Sequence, residues 1–474
     1  MEYLYAADIY ITPYLNEAQI TSGTLSYAIG AGTAVLSTPY WHAQELLADG
    51  RGVLFDFHNY EQLGDILLDL LDNPDKIEHL RESAVEYGHK LKWPKIGAKY
   101  INTAKQAIQN FSFVKKEKQT ILDPLLLPDF TLSHIKRLTD DTGIVQHAKY
   151  GIPNLKEGYC LDDNARALLM TAMAQYKNIT DDNSNLMPIY LSYIHYMQND
   201  DGSFRNFLSF NRNFLDKVGS EDSFGRTIWA LGFIIYSFPK ESYQMLGLDI
   251  FNKSIPFFNH LKYPRGIANT IIGVSYYYKR FPEDNPVKNL MYEMTSKLLS
   301  AYNKEKSGEW HWFENILTYD NAIIPLALFH SAEIFNDEKI LKTAIESALF
   351  LESKTMKAGH LKLIGSNGWY HKNSGCASFA QQSIDAMGMV LLFYKAYKVT
   401  KEKNYLNKMF MSYMWYMGEN DLKIPVYDYE TGGCNDGLED YGLNKNQGAE
   451  STIAYLISHL TVLNAFEFEF EYEK

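Results

Sequence analysis

Two rhythms of hydrophobic and polar positions divide the chain. Residues 1–111 alternate short apolar, β-branched runs with helical stretches. "DIYITPY" (8–14), "AVLSTP" (34–39) and "GVLFDF" (52–57) read as buried parallel strands. Helices over 24–32 and 42–50 each close on glycine, and further helices are predicted over 60–72, 75–91 and 95–110. This alternation predicts a parallel sheet, about half of a Rossmann-like one. Residues 112–130, with "KKEK" and "DPLLLPD", read as a linker.

From residue 131 to the end the strand signal gives way to long helical patterns. Six stretches open on a polar head and continue apolar nearly all round, which marks them as buried helices: 162–174, 221–235, 266–278, 319–332, 383–397 and 448–460. Their heads are Asp163, Asp222, Asn269, Asp320, Asp385 and Glu450. More amphipathic helices precede or separate them, over 131–138, 184–199, 247–261, 286–303, 338–352 and 403–418. Six buried helices alternating with six amphipathic ones predict a closed ring of helical hairpins. The expected fold is therefore mainly α, an (α/α)6 toroid preceded by a partial α/β Rossmann-like lobe. The steps between heads are uneven, so the repetition is one of supersecondary units. The closing "AFEFEFEYEK" alternates aromatic with acidic positions and reads as a strand or a frayed acidic terminus.

Composition narrows the chemistry. A formal net charge of −12 argues against nucleic acid or an anionic membrane surface as partner. No run approaches the ~18 apolar residues of a membrane span, and a signal sequence is not evident at Met1, so a cytoplasmic location is expected. Three cysteines, Cys160, Cys376 and Cys434, form no CxxC pair, so neither a zinc site nor any other metal or cofactor is predicted. Aromatic residues are abundant, with 35 Tyr, 26 Phe and 7 Trp, and suit stacking on sugar rings as well as core packing.

One acid at a helix start is a cap, because a short carboxylate satisfies free N–H groups and suits the dipole. Acids at five of six equivalent starts predict an acidic, aromatic-walled cup at one end of the ring. Glycoside cleavage needs one carboxyl to protonate the leaving oxygen and another to activate water or attack carbon. Asp162–Asp163 and Glu221–Asp222 are crowded pairs, of which Asp163 and Asp222 are expected to point inward, with Arg166 and Arg226 on the same faces. "GEWHWFENILTYDN" (308–321) adds Trp310, Trp312, Glu314 and Asp320. The candidate catalytic acids are thus Asp163, Asp222, Glu314 and Asp320. Arg166, Arg226, Trp310, Trp312, Trp369, Asp385 and Glu450 are candidate substrate contacts. The loops 199–207, 367–385 and 432–442 are expected near the cup.

Two resemblances sharpen these expectations. The run "AADIYITPYLNEAQITSGTLSYAIGAGTAVLSTPYWHAQELLADGRGVLF" with "KWPKIGAKYINTAKQAI" resembles the C-terminal lobe of family 4 glycosyltransferases, which have two Rossmann-like lobes. The resemblance implies that Thr21, Ser22, Gly23 and Thr24 held the diphosphate of a nucleotide-sugar at a helix start. Ser26 stands where that family carries the second of two glutamates. The remaining strands of such a lobe would lie upstream of Met1, so the chain is expected to be the C-terminal part of a longer protein or the product of a shortened gene, with a sheet edge covered by a partner chain as the competing explanation. Residues 131–464, with "GYCLDDNARAL" and "SEDSFGR", resemble the six-hairpin glycosidase superfamily, in particular the helical domain found behind family 4 glycosyltransferases in bacteria. That resemblance implies an oligosaccharide or glycan as ligand. Three readings follow: a toroid that cleaves or remodels a glycan, a glycosyltransferase whose helical domain binds acceptor, and a non-catalytic sugar-binding protein.

Overall fold

The computed structural model describes residues 2–110, 127–179, 185–237, 240–357 and 359–472. The chain divides into two compact units, residues 1–117 and 118–474. Of the expected linker at 112–130, residues 112–126 lie outside the described residues.

The first unit runs α1 (Glu2–Ala6), β1 (Ile9–Thr12), α2 (Gly23–Ala31), β2 (Ala34–Ser37), α3 (Trp41–Leu46), β3 (Val53–Leu54), α4 (Tyr60–Asp72), α5 (Pro74–Leu91) and α6 (Trp93–Asn110). Its three strands form a parallel sheet in the order β1-β2-β3, with Ile9 opposite Ala34 and Leu36 opposite Val53. The expected strands and their direction are all present. Central β2 is buried throughout, and its alternating side chains serve two cores. Val35 packs with Leu25, Ile29 and Ala84, whereas Ala34 and Leu36 pack with Phe55, Leu70 and Leu80. α5 approaches α2 closely because Gly88 has no side chain: a Cβ there would lie 3.0 Å from the Ile29 carbonyl oxygen.

The second unit contains α7 (Ser133–Leu138), α8 (Leu161–Tyr176), α9 (Leu186–Met197), α10 (Glu221–Ser237), α11 (Glu241–Ser254), α12 (Pro264–Arg280), α13 (Asn285–Glu305), α14 (Ile323–Phe335), α15 (Glu338–Thr355), α16 (Ser383–Thr400), α17 (Asn404–Met414) and α18 (Ala449–Tyr472). The even-numbered helices pack in order, α8 on α10, then α12, α14, α16 and α18, and α18 returns to α8. The ring is closed. Helices α9, α11, α13, α15 and α17 each back the inner helix before them, and α7 backs α18. The fold is the expected (α/α)6 toroid, with one continuous core. Segments leading from an outer to an inner helix include the long ones, 139–160, 198–220, 306–322, 356–382 and 415–448. Those leading outward from α12 and α14 span only residues 281–284 and 336–337. Long loops on a rigid scaffold therefore gather at the rim where the inner helices begin.

The tail departs from expectation. Its backbone continues α18 to Tyr472, so the expected strand does not form, and residues 473–474 lie outside the described residues. Once a helix is nucleated, each added residue gains a hydrogen bond, which outweighs a two-residue alternation that has no partner strand. Among the described residues no helix is long and apolar enough to cross a membrane.

Candidate active site

The polar heads converge as an ion-pair lattice at the inner-helix starts. Cys160 caps α8, its sulfur accepting from Asp163 N–H at 3.4 Å. Asp162 and Asp163 follow in the first turn, where the helix dipole favours them. Arg166, one turn on, donates to Asp163 Oδ1 at 2.9 Å and to Asp162 Oδ2 at 3.2 Å, and forms an ion pair with Glu450 Oε2 at 2.9 Å. Arg226 of α10 donates to both oxygens of Asp162, at 3.0 and 2.7 Å, and to Asp320 Oδ2 at 3.2 Å. Asp320 precedes α14 with φ 46, and its N–H donates to Asp385 Oδ1 of α16 at 2.7 Å. Four inner-helix starts, those of α8, α10, α16 and α18, and the loop before α14 are thereby laced together.

Environment separates these carboxyls. Burial alone would push Asp162 up, but Arg166 and Arg226 outweigh it and hold that carboxyl below its ordinary value. Burial, reinforced by the Glu450 and Asp162 charges, lifts Asp163 to about 6 against the pull of Arg166. Asp320 and Asp385 are likewise buried. Burial raises Asp320 despite Arg226, and burial with the Asp320 charge raises Asp385 well above the usual carboxylate range. One buried oxygen of each, Asp320 Oδ1 and Asp385 Oδ2, has no hydrogen-bond partner.

That burial has a measurable consequence. An unfolded Asp titrates near pH ~3.9 and folded Asp385 above it, so between the two the folded state holds more protons and stability falls as pH rises. Asp385→Asn keeps the acceptor for the Asp320 N–H and removes the titration. Scanning calorimetry should find the variant more stable than wild type at pH ~7, with the difference vanishing toward pH ~3.5. A lower midpoint at pH ~7 would mean that the lattice requires the Asp385 charge.

Two clefts open beside the lattice. The first, of about 380 Å³, is lined by Asp162, Asp163 and Glu450 from the helix starts and by Gln146, His147, Asn206, Phe207, Gln381, Gln382, Asp436 and Glu439 from the loops. Short ladders build its walls: Tyr159–Cys160 pairs with Phe207–Leu208, and Gln381–Gln382 pairs with Gly437–Glu439. The three loops expected near the cup thus do contribute to it. The second cleft, of about 430 Å³, is lined by Asp222, Glu314, Arg265, Tyr263 and Tyr319 among others. Arg265 of α12 is locked there by Glu314 Oε2 at 2.8 Å, the Tyr319 carbonyl at 2.6 Å, Thr318 Oγ1 at 2.7 Å and Asn321 Oδ1 at 3.1 Å.

Several expected residues stand elsewhere. Asp163 lines the first cleft and Asp222 and Glu314 the second, so the structure does not bring the expected pair into one cavity. Asp320, Asp385, Arg166 and Arg226 are buried under the rim and line neither cleft. The guanidinium groups bind the protein's own acids rather than facing open space. Trp312 is fully buried, and Trp310 packs edge-on to Phe350 with its indole N–H on the Glu314 carbonyl. Trp369 is half-buried beside Tyr319 and lines neither cleft. The exposed rings at the clefts are instead Phe207 and Tyr263. Gln146, His147 and Arg265 were not foreseen as site residues. His147 lies in a loop with no periodic pattern to flag it, while Arg265 adjoins a predicted helix start and was legible as a charge there.

In the first unit, Ser22 caps α2 through the Leu25 N–H, and its own N–H donates to His42 Nδ1 at 3.0 Å. Its hydroxyl is therefore committed to the helix, whereas Thr21, Gly23 and Thr24 are exposed.

No protein-family model and no curated protein matches the sequence. Solved structures do match. A sugar epimerase from a ruminal bacterium is 11% identical, with a TM-score of 0.56 over 70% of this chain and 94% of that one. Cellobiose 2-epimerase from Bacillus thermoamylovorans B4167 is 12% identical, with a TM-score of 0.56 over 70% and 94%. The GH76 α-mannanase of Bacteroides thetaiotaomicron is 12% identical, with a TM-score of 0.51 over 71% and 94%. At these identities the likeness is one of fold, the (α/α)6 toroid. The comparisons lend no support to a glycosyltransferase lobe.

Proposed function

We propose that the toroid is a carbohydrate-active enzyme working by acid–base chemistry in the first cleft, with hydrolysis of a glycan as the reaction the residues suit best. The observation that carries this reading is Asp163, a carboxyl raised to about 6 in the wall of an open cleft, beside an Asp162 held ionised. Environments that push neighbouring carboxyls apart separate proton donor from charge stabiliser. In the proposed reaction Asp163 gives its proton to the glycosidic oxygen as the C–O bond breaks. Its resulting negative charge is held by Arg166 Nη1. Glu450, the more exposed carboxylate, takes a proton from the water that attacks the anomeric carbon. Resemblance in fold to epimerases and a GH76 mannanase supports a sugar as ligand.

Asp163→Asn tests this. With a hydrolysable glycan the variant is expected to lose about a hundredfold in kcat. The wild-type fall in activity above pH about 6 should vanish with it. Its thermal midpoint should stay near wild type, because the amide oxygen still accepts from Arg166. A variant that unfolds, in a protein that no glycan stabilises, would overturn the reading in favour of a purely structural lattice.

His147 in the same cleft supports a second reading, proton transfer at carbon in isomerisation or epimerisation. Product analysis separates the two: hydrolysis shortens the glycan and releases a new reducing end, whereas epimerisation preserves chain length. A donor role for Thr21, Gly23 and Thr24 rests on sequence resemblance, and titration of the chain with a nucleotide-sugar tests it directly.

A further inference from the structure

The second cleft belongs to the same rim, since Glu221 and Asp222 open α10 and Pro264 and Arg265 open α12. It adjoins the first cleft through the chain itself. Gly219 lines the second cleft and Asn206 the first, and a Cβ on Gly219 would fall 2.8 Å from Asn206 Cβ. At this seam the Asn206 side-chain oxygen is buried without a hydrogen-bond partner, although the residue lines open space. A buried acceptor left unpaired is unfavourable, so a ligand hydroxyl arriving there meets a ready partner.

The second cleft is also prearranged. Glu221 Oε2 accepts from the N–H groups of Lys262 and Tyr263, at 2.7 and 2.8 Å, and so fixes the backbone from which Tyr263 projects. The Tyr263 ring remains 67% exposed, a flat apolar surface at the cleft. Asp222 Oδ2 accepts from the Tyr319 hydroxyl, while its Oδ1 has no hydrogen bond among the described residues. An aromatic face beside a carboxylate with a free oxygen matches the C–H face and hydroxyl edge of a sugar ring.

Charge narrows the class. The first cleft is lined by Asp162, Asp163, Asp436, Glu439 and Glu450 with no Lys or Arg, and the second by three carboxylates against Arg265 alone. Arg166 and Arg226 offset Asp162, Asp163 and Glu450 from behind, but Asp436 and Glu439 have no ion-pair partner among the described residues. The second cleft sets three acids against one arginine, so a saccharide bearing carboxylate, sulfate or phosphate groups is disfavoured at both.

We infer that the second cleft is a further sugar subsite, and that the ligand is an uncharged oligosaccharide laid across Asn206 from one cleft to the other. Tyr263 stacks on one ring, and Asp222 accepts from its hydroxyls. This rests on the reading of the first cleft as a sugar site.

Calorimetric titration of the full chain with cello-, malto- and α-1,6-manno-oligosaccharides of one to five units tests the inference. In at least one series Kd should tighten tenfold or more between disaccharide and tetrasaccharide. Tyr263→Ala and Asp222→Asn should each reduce that increment to twofold or less, and Tyr263→Phe, which keeps the ring, should preserve it. A tetrasaccharide of the same series oxidised to carry carboxylates should bind at least tenfold more weakly than its neutral parent. Affinity that is flat with chain length, or an increment untouched in folded Tyr263→Ala, overturns the subsite while leaving the first cleft as a sugar site. Absence of binding by every saccharide overturns both.

Discussion

Arg226→Met is expected to destabilise the toroid by about 3–5 kcal/mol at neutral pH, the range seen when one partner of a buried ion pair is removed. Arg226 is 6% exposed and is the direct ion-pair partner of Asp320, besides sharing Asp162 with Arg166. Methionine fills much the same volume, so the loss would come from stranded charge rather than from a hole. The pH dependence makes this distinguishable. Without the guanidinium, the already raised Asp320 carboxyl rises further and Asp162 loses one of the two arginines that hold it below its ordinary value, so the folded state binds more protons and the deficit shrinks on acidification. Denaturant titrations at pH ~7.5 and ~4.5 should therefore differ, with the larger deficit at the higher pH. An equal deficit at both would assign the loss to packing of the arginine stem.

Gly273→Ala and Gly232→Ala should each cost about 3 kcal/mol, at the upper end of ordinary overpacking. α10 and α12 approach each other through glycines: a Cβ on Gly273 would fall 2.3 Å from the Ile228 carbonyl oxygen, and one on Gly232 would fall 2.1 Å from that of Gly273. Both obstacles are backbone, which cannot rotate aside, so the helices would have to separate. Helix propensity opposes this, because alanine in place of mid-helix glycine gains about 1 kcal/mol. Sterics should win. Gly247→Ala on α11 is the internal control. Its Cβ would meet Ile234 at 3.6 Å, an ordinary contact, and that variant should be slightly more stable than wild type. Chemical denaturation of the three variants checks the order, and equal stability of Gly273→Ala and Gly247→Ala would show that the helices slide apart freely. Because α10 and α12 carry Asp222 and Arg265 in their first turns, the same substitution should also disturb the second cleft.

The polar starts of the inner helices were legible because capping and apolar periodicity are local properties, written within a few residues of where they act. The stretch expected at 162–174 forms as Leu161–Tyr176, and that at 383–397 as Ser383–Thr400. Orientation was not legible. Asp162, set aside in favour of Asp163, is the carboxylate shared by two arginines, and Glu221, set aside in favour of Asp222, clamps the backbone at Tyr263. Trp310 and Trp312 have the composition of a sugar platform, yet their rings are used to pack the loop against Phe350 and Phe313. The alternating tail misled for a related reason: a two-residue rhythm predicts a strand only where a neighbouring strand can receive it.

Taken alone, the chain of amino acids determined which segments are helices, how many face inward, and that acids stand where those helices begin. Tertiary structure alone decided which acids are sealed beneath the rim with Arg166 and Arg226 and which border open clefts. The division follows from range. Hydrogen bonds along a helix and its cap involve residues three or four apart, whereas the fate of a carboxylate depends on charges that ring closure brings from far along the chain, as when Glu450 meets Arg166.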